Sequence, residues 1–243
     1  MYPILFKFEF ITMYSYGAMV ALAFLAGISL AIYLLQREGL FNNRSLDLAI
    51  VVMVASIVGA RIFYVIEFFD FFRAHPWEIL MVWNGGLVFY GGLTFAVLGA
   101  VVYIKTQRLP LWQYLDCMAP PTVLGYAIGR VGCFLNGCCY GGEANVPWAV
   151  HFPQVTGLHH PTQLYASTAA LAAFAILLFI LRRKKYDGQV FGLTLLYYCA
   201  YRFAIEFVRV NPRYLFGLSA AQWISILGMV VAAVILLALR KKK

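Results

Sequence analysis

Three arginines interrupt runs that are otherwise apolar: Arg61 in "VGARIFYV", Arg130 in "GRVGCFLNGCCYG" and Arg202 in "YRFAIEFVR". A guanidinium in the middle of a bilayer span is unfavourable by about 2.5–3.5 kcal/mol even on insertion scales, so each needs an anionic partner or a wet cavity. Glu206 lies four residues after Arg202 and Arg209 three after that, a spacing that puts the three on one helix face and predicts an Arg202–Glu206 pair. Arg61 has Glu67 or a neighbouring carbonyl within reach. The two span carboxylates, Glu67 and Glu206, are too few for Arg61, Arg130, Arg202 and Arg209. A bound anion closes the gap. At membrane depth the expected anion is a phospholipid phosphate, which a guanidinium fork binds bidentately without losing its proton.

The elements that position these residues follow from composition. The chain of 243 residues is 63% hydrophobic and 12% charged, against roughly 25% charged in soluble domains. Lipid is therefore the expected solvent. Seven uncharged or nearly uncharged runs reach the length of about 20 residues that crosses a bilayer: 14–35, 46–69, 86–104, 113–135, 162–181, 189–208 and 217–239. Connections are short, so the expectation is one all-α, polytopic membrane domain over residues 1–243, with seven transmembrane helices and an outer arm or lid. The opening "MYPILFKFEF" lacks the basic start and small-residue cleavage site of a signal peptide, and the first span is expected to stay.

The net charge of +9 does not point to nucleic acid. Twelve of the 19 basic residues cluster after spans one, three, five and seven, including "RRKK" at 182–185 and "RKKK" at 240–243. The positive-inside rule makes that side cytoplasmic, with the N-terminus outside and the C-terminus inside. The clusters read as topology anchors that also touch anionic membrane lipid. Spans two, four and six run outward, and Arg61, Arg130 and Arg202 each fall past the midpoint, in the outer half.

Other polar stretches belong to the same outer level. "YSYG" at 14–17 supplies Tyr16, "NGGLVFYGG" at 84–92 supplies Tyr90, Gly91 and Gly92, and "HHPTQLY" at 159–165 supplies His160, Gln163 and Tyr165. Asn136 ends the run that holds Arg130. The glycines serve either close helix packing or close approach of a ligand. Residues 137–161 form an irregular outer arm, and 70–85 an interfacial helix with Trp77 and Trp83 at headgroup level. Of the five cysteines, Cys133, Cys138 and Cys139 fall near the outer face; a Cys133–Cys138 disulfide is one outcome in an oxidising compartment. The C-x4-CC spacing is a poor match to zinc patterns, so no metal is expected.

These blocks together resemble the prolipoprotein diacylglyceryl transferase family. "GRVGCFLNGCCYG" is similar to its G-R-x-G-N-F-x-N-G-E-x-x-G signature, "GGLVFYGG" to G-G-x-x-x-H-G-G, "HHPTQLY" to H-P-S-Q-L-Y and "YRFAIEFVR" to F-R-F-x-x-E-F-x-R; "GARIFYV" and "YSYG" match further blocks, all in family order. The resemblance implies a seven-helix bacterial inner-membrane enzyme without cofactor. Its site faces the outer leaflet and moves the diacylglyceryl group of phosphatidylglycerol onto the lipobox cysteine of a preprolipoprotein. It further implies that Arg130 binds phosphatidylglycerol, that Arg202 is essential with Glu206 its partner, and that Tyr16 is the first-span tyrosine. Tyr90 stands where the family has a histidine, Cys133 for an asparagine, Cys138 for a glutamate and Ala166 for a glutamate. These departures leave the general base unassigned and keep open a related transferase with another thiol acceptor. An anionic-lipid transporter and a non-catalytic scaffold are the rival readings.

Overall fold

The computed structural model describes residues 1–7, 12–82 and 85–241. Trp83, Asn84, Lys242 and Lys243, to which the sequence assigns belt, cavity-level and anchoring roles, lie outside the described residues. The helices are α1 (Ser15–Arg37), α2 (Asn43–Glu67), α3 (Phe69–Ala74), α4 (Phe89–Thr106), α5 (Leu111–Asn136), α6 (Thr162–Leu181), α7 (Gln189–Ile205) and α8 (Ala220–Arg240). Every expected span coincides with one of α1, α2, α4, α5, α6, α7 and α8, with ends displaced by a few residues. Five of them, α1, α2, α6, α7 with its 3-10 extension and α8, are both long and apolar enough to cross a membrane. α4 is a shorter apolar helix. α5 has 26 residues, about 39 Å at 1.5 Å per residue, but carries Asp116, Pro120, Pro121 and Arg130. The chain is an all-α, multi-pass membrane protein.

Side-chain burial follows from lipid as solvent. Ile50, Val54 and Ile57 on α2, Leu93, Val97 and Val102 on α4, and Leu227, Val230, Val234 and Leu237 on α8 are all exposed. The buried set contains Asp116, Gln163, Glu206, Ser219, Gln222 and Ser225. Apolar residues face hydrocarbon, and polar ones turn inward to find partners.

Two compact units divide the chain, one of residues 1–34 and 115–243 and one of residues 35–114. In the second, α2 packs along α4 through glycines. A Cβ on Gly91 would collide with the carbonyl oxygen of Gly59, and one on Gly92 would lie 3.1 Å from the Ser56 carbonyl oxygen. The interfacial segment is broken into α3 and a 3-10 turn over Pro76–Leu80, with Trp77 79% exposed.

In the first unit, α5 packs on α6 through Ser167 Oγ donating to the Ala127 carbonyl (3.0 Å), and on α7 through an edge-to-face Tyr126–Tyr198 contact (5.8 Å). α7 and α8 meet at Gly192, where a Cβ would lie 2.6 Å from Leu236 Cδ2. Buried Asp116 caps α7 from α5, accepting from the backbone N–H of Gly188 (2.8 Å) and Phe191 (2.9 Å). A carboxylate there satisfies orphan amides and faces the positive end of the helix. Two short antiparallel pairs complete the unit: β1 (Ile4–Lys7) with β2 (Thr12–Tyr14), and β3 (Val150–His151) with β4 (Leu158–His159) in the arm over residues 137–161.

Candidate active site

The first unit gathers most of the residues singled out in the sequence. Arg130, on the last turns of α5, lies with its guanidinium 4.9 Å over the Tyr126 ring, one helical turn earlier. Cys133 and Cys139 are within its electrostatic reach. The Tyr16 hydroxyl at the start of α1 feels Arg130 and all three of Cys133, Cys138 and Cys139. Tyr201 on α7 lies in the field of both Arg130 and Arg209.

Arg202 and Glu206 pair as the i,i+4 spacing predicts. Glu206 also accepts from Asn211 Nδ2 (2.6 Å) and from Ser219 Oγ (2.8 Å). Ser219 is in turn the N-cap of α8, its backbone N–H donating to Gln222 Oε1 at 2.9 Å. The carboxylate is therefore the knot that ties the end of α7 to the start of α8. Arg209 departs from the expected helix face. α7 ends at Ile205, a 3-10 turn covers Glu206–Val208, and Arg209 is extended at φ −99, ψ 149. The chain turns because the Glu206 carboxylate gathers Asn211 and Ser219, which a continued helix would carry away.

Among the described residues, neither Arg130 nor Arg209 has a carboxylate within ion-pair distance. Arg209 Nε, the Tyr197 and Tyr201 hydroxyls and Gln163 Oε1 are enclosed without a hydrogen-bond partner among the described residues. Such groups are normally satisfied in a folded protein. Of these, Arg209 Nε belongs to one of the two arginines and the Tyr201 hydroxyl lies in the field of both, so unmet donors and cations sit together.

The arm over residues 137–161 packs against the start of α6 and the end of α7. Gly141 sits where a Cβ would lie 2.6 Å from the Val208 carbonyl oxygen and 2.8 Å from both His160 and Thr162, so only glycine lets the arm press against α6 and the end of α7. Gln163 Nε2 donates to the Cys138 carbonyl (2.6 Å) and Thr162 Oγ1 to the Cys139 carbonyl (2.7 Å). Tyr165 OH receives Trp148 Nε1 (2.7 Å) and bonds His160 Nδ1 (3.1 Å). His160 and Tyr165 thus brace the arm. Asn136, Gly137, Cys138, Cys139, Tyr140 and Gln154 line a cavity of about 330 Å³.

The sulfurs of Cys133, Cys138 and Cys139 lie within 4.8 Å of one another, a grouping the linear C-x4-CC spacing did not suggest. Positive φ at Gly137 (76°) and Cys139 (66°) folds the loop back over the end of α5. The Cys133 and Cys138 thiols, followed by the Arg130 and Arg209 guanidiniums, hold the Cys139 thiol below the ordinary range against desolvation.

Arg61, Tyr90, Gly91 and Gly92 belong to the other unit. Arg61 is committed to backbone: Nε donates to Ile79 (2.9 Å), one terminal nitrogen to Gly85 (2.8 Å) and Gly86 (3.1 Å), the other to Glu78. The Tyr64 and Phe72 rings flank it. It closes the turn before α4, as an internally satisfied cation. Gly91 and Gly92 serve α2–α4 packing. Tyr90 is 70% exposed at the start of α4.

Several partners went unread in the sequence: Tyr126, Tyr197, Tyr201, Asn211, Ser219 and Asp116. Tyr126 precedes Arg130 by four residues and Tyr197 precedes Tyr201 by four, a helical spacing that carried the signal. Asp116 carried none, since its partners are some 70 residues away.

The sequence profile of the family described as "Prolipoprotein diacylglyceryl transferase" matches residues 3–238. Proteins named phosphatidylglycerol–prolipoprotein diacylglyceryl transferase are similar along most of their lengths. That of Finegoldia magna is 35% identical over 229 residues, covering 94% of this chain and 91% of the relative. That of Trichormus variabilis is 33% identical, covering 93% and 86%. One from Clostridium botulinum is 31% identical, covering 100% and 99%. With that coverage, and the conjunction of apolar helices and unpaired arginines, the chain belongs to the prolipoprotein diacylglyceryl transferase family.

Proposed function

We propose that this protein transfers the diacylglyceryl group of phosphatidylglycerol to the lipobox cysteine thiol of preprolipoproteins, releasing glycerol phosphate. It does so in the bacterial inner membrane, with N-terminus outside, C-terminus cytoplasmic and the site toward the outer leaflet. The observation that carries the reading is the pair Arg130 and Arg209, which among the described residues have no carboxylate at ion-pair distance, with the unpartnered Tyr201 hydroxyl in the field of both.

The acceptor sulfur attacks the glycerol carbon that bears the phosphate ester. The C–O bond breaks and its electron pair leaves on the phosphate oxygen. Arg130 and Arg209 bind the phosphate and meet the charge that grows on it. Fixed donors aimed at developing charge in a poorly hydrated site are among the largest contributions to rate. Arg202 and Glu206 act as positioning residues: their knot sets the turn from which Arg209 projects. Tyr16, Asn136 and Gln163 border the headgroup, and His160 with Tyr165 holds the arm in place. Tyr90 is not assigned the role of base, since a neutral phenol hydroxyl is chiefly a hydrogen-bond donor. Basic clusters anchor topology and bind no nucleic acid.

Purified protein in detergent, phosphatidylglycerol and a lipobox peptide test the reading by mass spectrometry. The peptide should gain one diacylglyceryl unit, and a cysteine-to-serine peptide should gain none. A protein that binds the lipid and leaves every thiol acceptor unmodified refutes it. Modification of other thiols in preference to the lipobox cysteine moves the assignment to a related acceptor.

A further inference from the structure

The three clustered thiols sit where the proposed chemistry needs a nucleophile made ready. A thiol reacts as its thiolate, and metal coordination removes the thiol proton outright. We propose that Cys133, Cys138 and Cys139 form a three-thiolate site for a thiophilic divalent ion of the Zn2+ class, whose remaining position takes the acceptor's cysteine sulfur. The second half rests on the transferase reading; the first does not.

The geometry suits a metal. Zinc–sulfur bonds of about 2.3 Å in a tetrahedral site put sulfurs about 3.8 Å apart. Here all three sulfurs lie within 4.8 Å, and those of Cys138 and Cys139 are 3.5 Å apart. Shifts of well under a bond length bring them into register. The backbone is already committed: the carbonyls of Cys138 and Cys139 are held by Gln163 and Thr162, which fixes where the side chains leave the chain. Among the described residues, no fourth Cys, His, Asp or Glu joins the group. Structural zinc sites are closed by four protein ligands, whereas three protein ligands and an open position mark sites that bind a reactant. The cysteines are half-buried, and Cys138 and Cys139 also line the 330 Å³ cavity, which gives a sulfur ligand room to enter.

The charge balance agrees. Three thiolates and a divalent ion carry a net charge of −1, and Arg130 and Arg209 are the neighbouring cations. Binding a fourth thiolate raises that to −2, which favours departure of a more nucleophilic sulfur. The acceptor thiol gives its proton to solvent on coordination. Its sulfur then attacks the glycerol carbon as the phosphate leaves with the C–O electron pair. The product thioether is uncharged, a weak ligand, and is released. No electron is gained or lost by the metal.

Full-length protein in detergent, reduced and stripped with a chelator, is titrated with Zn2+ and with Co2+ as a spectroscopic probe. One equivalent of each should bind, with thiolate-to-cobalt charge-transfer absorption. Adding the lipobox peptide should change that absorption, and its cysteine-to-serine form should not. Binding no stronger than that of a Cys133→Ser, Cys138→Ser, Cys139→Ser triple variant overturns the metal site. A cobalt spectrum indifferent to the peptide thiol overturns the open position. If the triple variant does not fold, alkylation of the native protein decides: one equivalent of Zn2+ must protect Cys133, Cys138 and Cys139 together, and unchanged labelling overturns the site. Stripped protein that transfers at the rate of loaded protein removes the metal's role and leaves the transferase standing. Metal and thiol binding without any transfer upholds the site and sinks the transferase.

Discussion

Replacing Glu206 by alanine should harm the protein more than replacing its partner Arg202. The asymmetry comes from the contacts. The Glu206 side chain is 3% exposed and holds three donors, from Arg202, Asn211 and Ser219. Removing it strands a cation and two neutral donors. Breaking a buried ion pair from one side costs about 3–5 kcal/mol. The Arg202 side chain retains 20% exposure, which lets water reach it and favours the low end of that range. Two orphaned donors add about 1 kcal/mol each. Glu206→Ala is therefore expected to lose about 5 kcal/mol. Arg202→Ala leaves the carboxylate with Asn211 and Ser219 still bound, and a loss of about 2–3 kcal/mol follows. Reversible unfolding of the purified protein in mixed micelles of dodecyl maltoside and sodium dodecyl sulfate reads both. Equal losses, the reverse order, or a Glu206→Ala loss under about 1 kcal/mol, the value of an exposed pair, would refute the reasoning.

Arg130→Ala should lower the transfer rate by about 10²–10³, the effect of removing one donor from a developing oxyanion, and Arg130→Lys should recover only part, because an ammonium lacks the planar fork; steady-state rates on the lipobox peptide check both. Gly91→Ala should destabilise the α2–α4 pair by about 2 kcal/mol through overpacking, and more than Gly92→Ala, whose new Cβ meets Ser56 at 3.1 Å; the same micelle unfolding ranks them. Burial pulls the Lys184 ammonium down, but Asp187 and Asp116 outweigh it, so its folded pKa is raised. A base with a raised folded value contributes stability that is full below its unfolded pKa, about 10.4, and is lost as pH climbs through the folded value. Unfolding measured from pH 7 to 11 should show that late loss, and Lys184→Met should abolish it. Tyr90→Phe should keep most activity, whereas a fall to the Arg130→Ala level would make its hydroxyl essential.

Local signals carried the architecture. Runs of apolar residues gave every long helix, because a bilayer demands them regardless of what they pack against. The i,i+4 spacing gave the Arg202–Glu206 pair for the same local reason. What the sequence withheld depends on distant partners. Helical spacing alone places Arg209 on the α7 face, but Asn211 and Ser219 draw Glu206 into a turn that ends the helix. Depth in its span groups Arg61 with the phosphate-binding arginines, whereas four carbonyls of the segment before α4 claim it. The glycines of "GGLVFYGG" admitted packing or ligand, and contact with α2 favours packing. The cysteine cluster was hidden because its ring closes through two left-handed residues, Gly137 and Cys139.

The central claim is that Arg130 and Arg209, left without carboxylates, hold a lipid phosphate. Native mass spectrometry of the purified protein released from micelles, offered equal phosphatidylglycerol and diacylglycerol, tests it most directly. The account predicts retention of phosphatidylglycerol alone, weakened at least tenfold, about 1.4 kcal/mol, by Arg130→Ala and by Arg209→Ala. Equal retention of the two lipids, or phosphatidylglycerol binding untouched by either substitution, would contradict it.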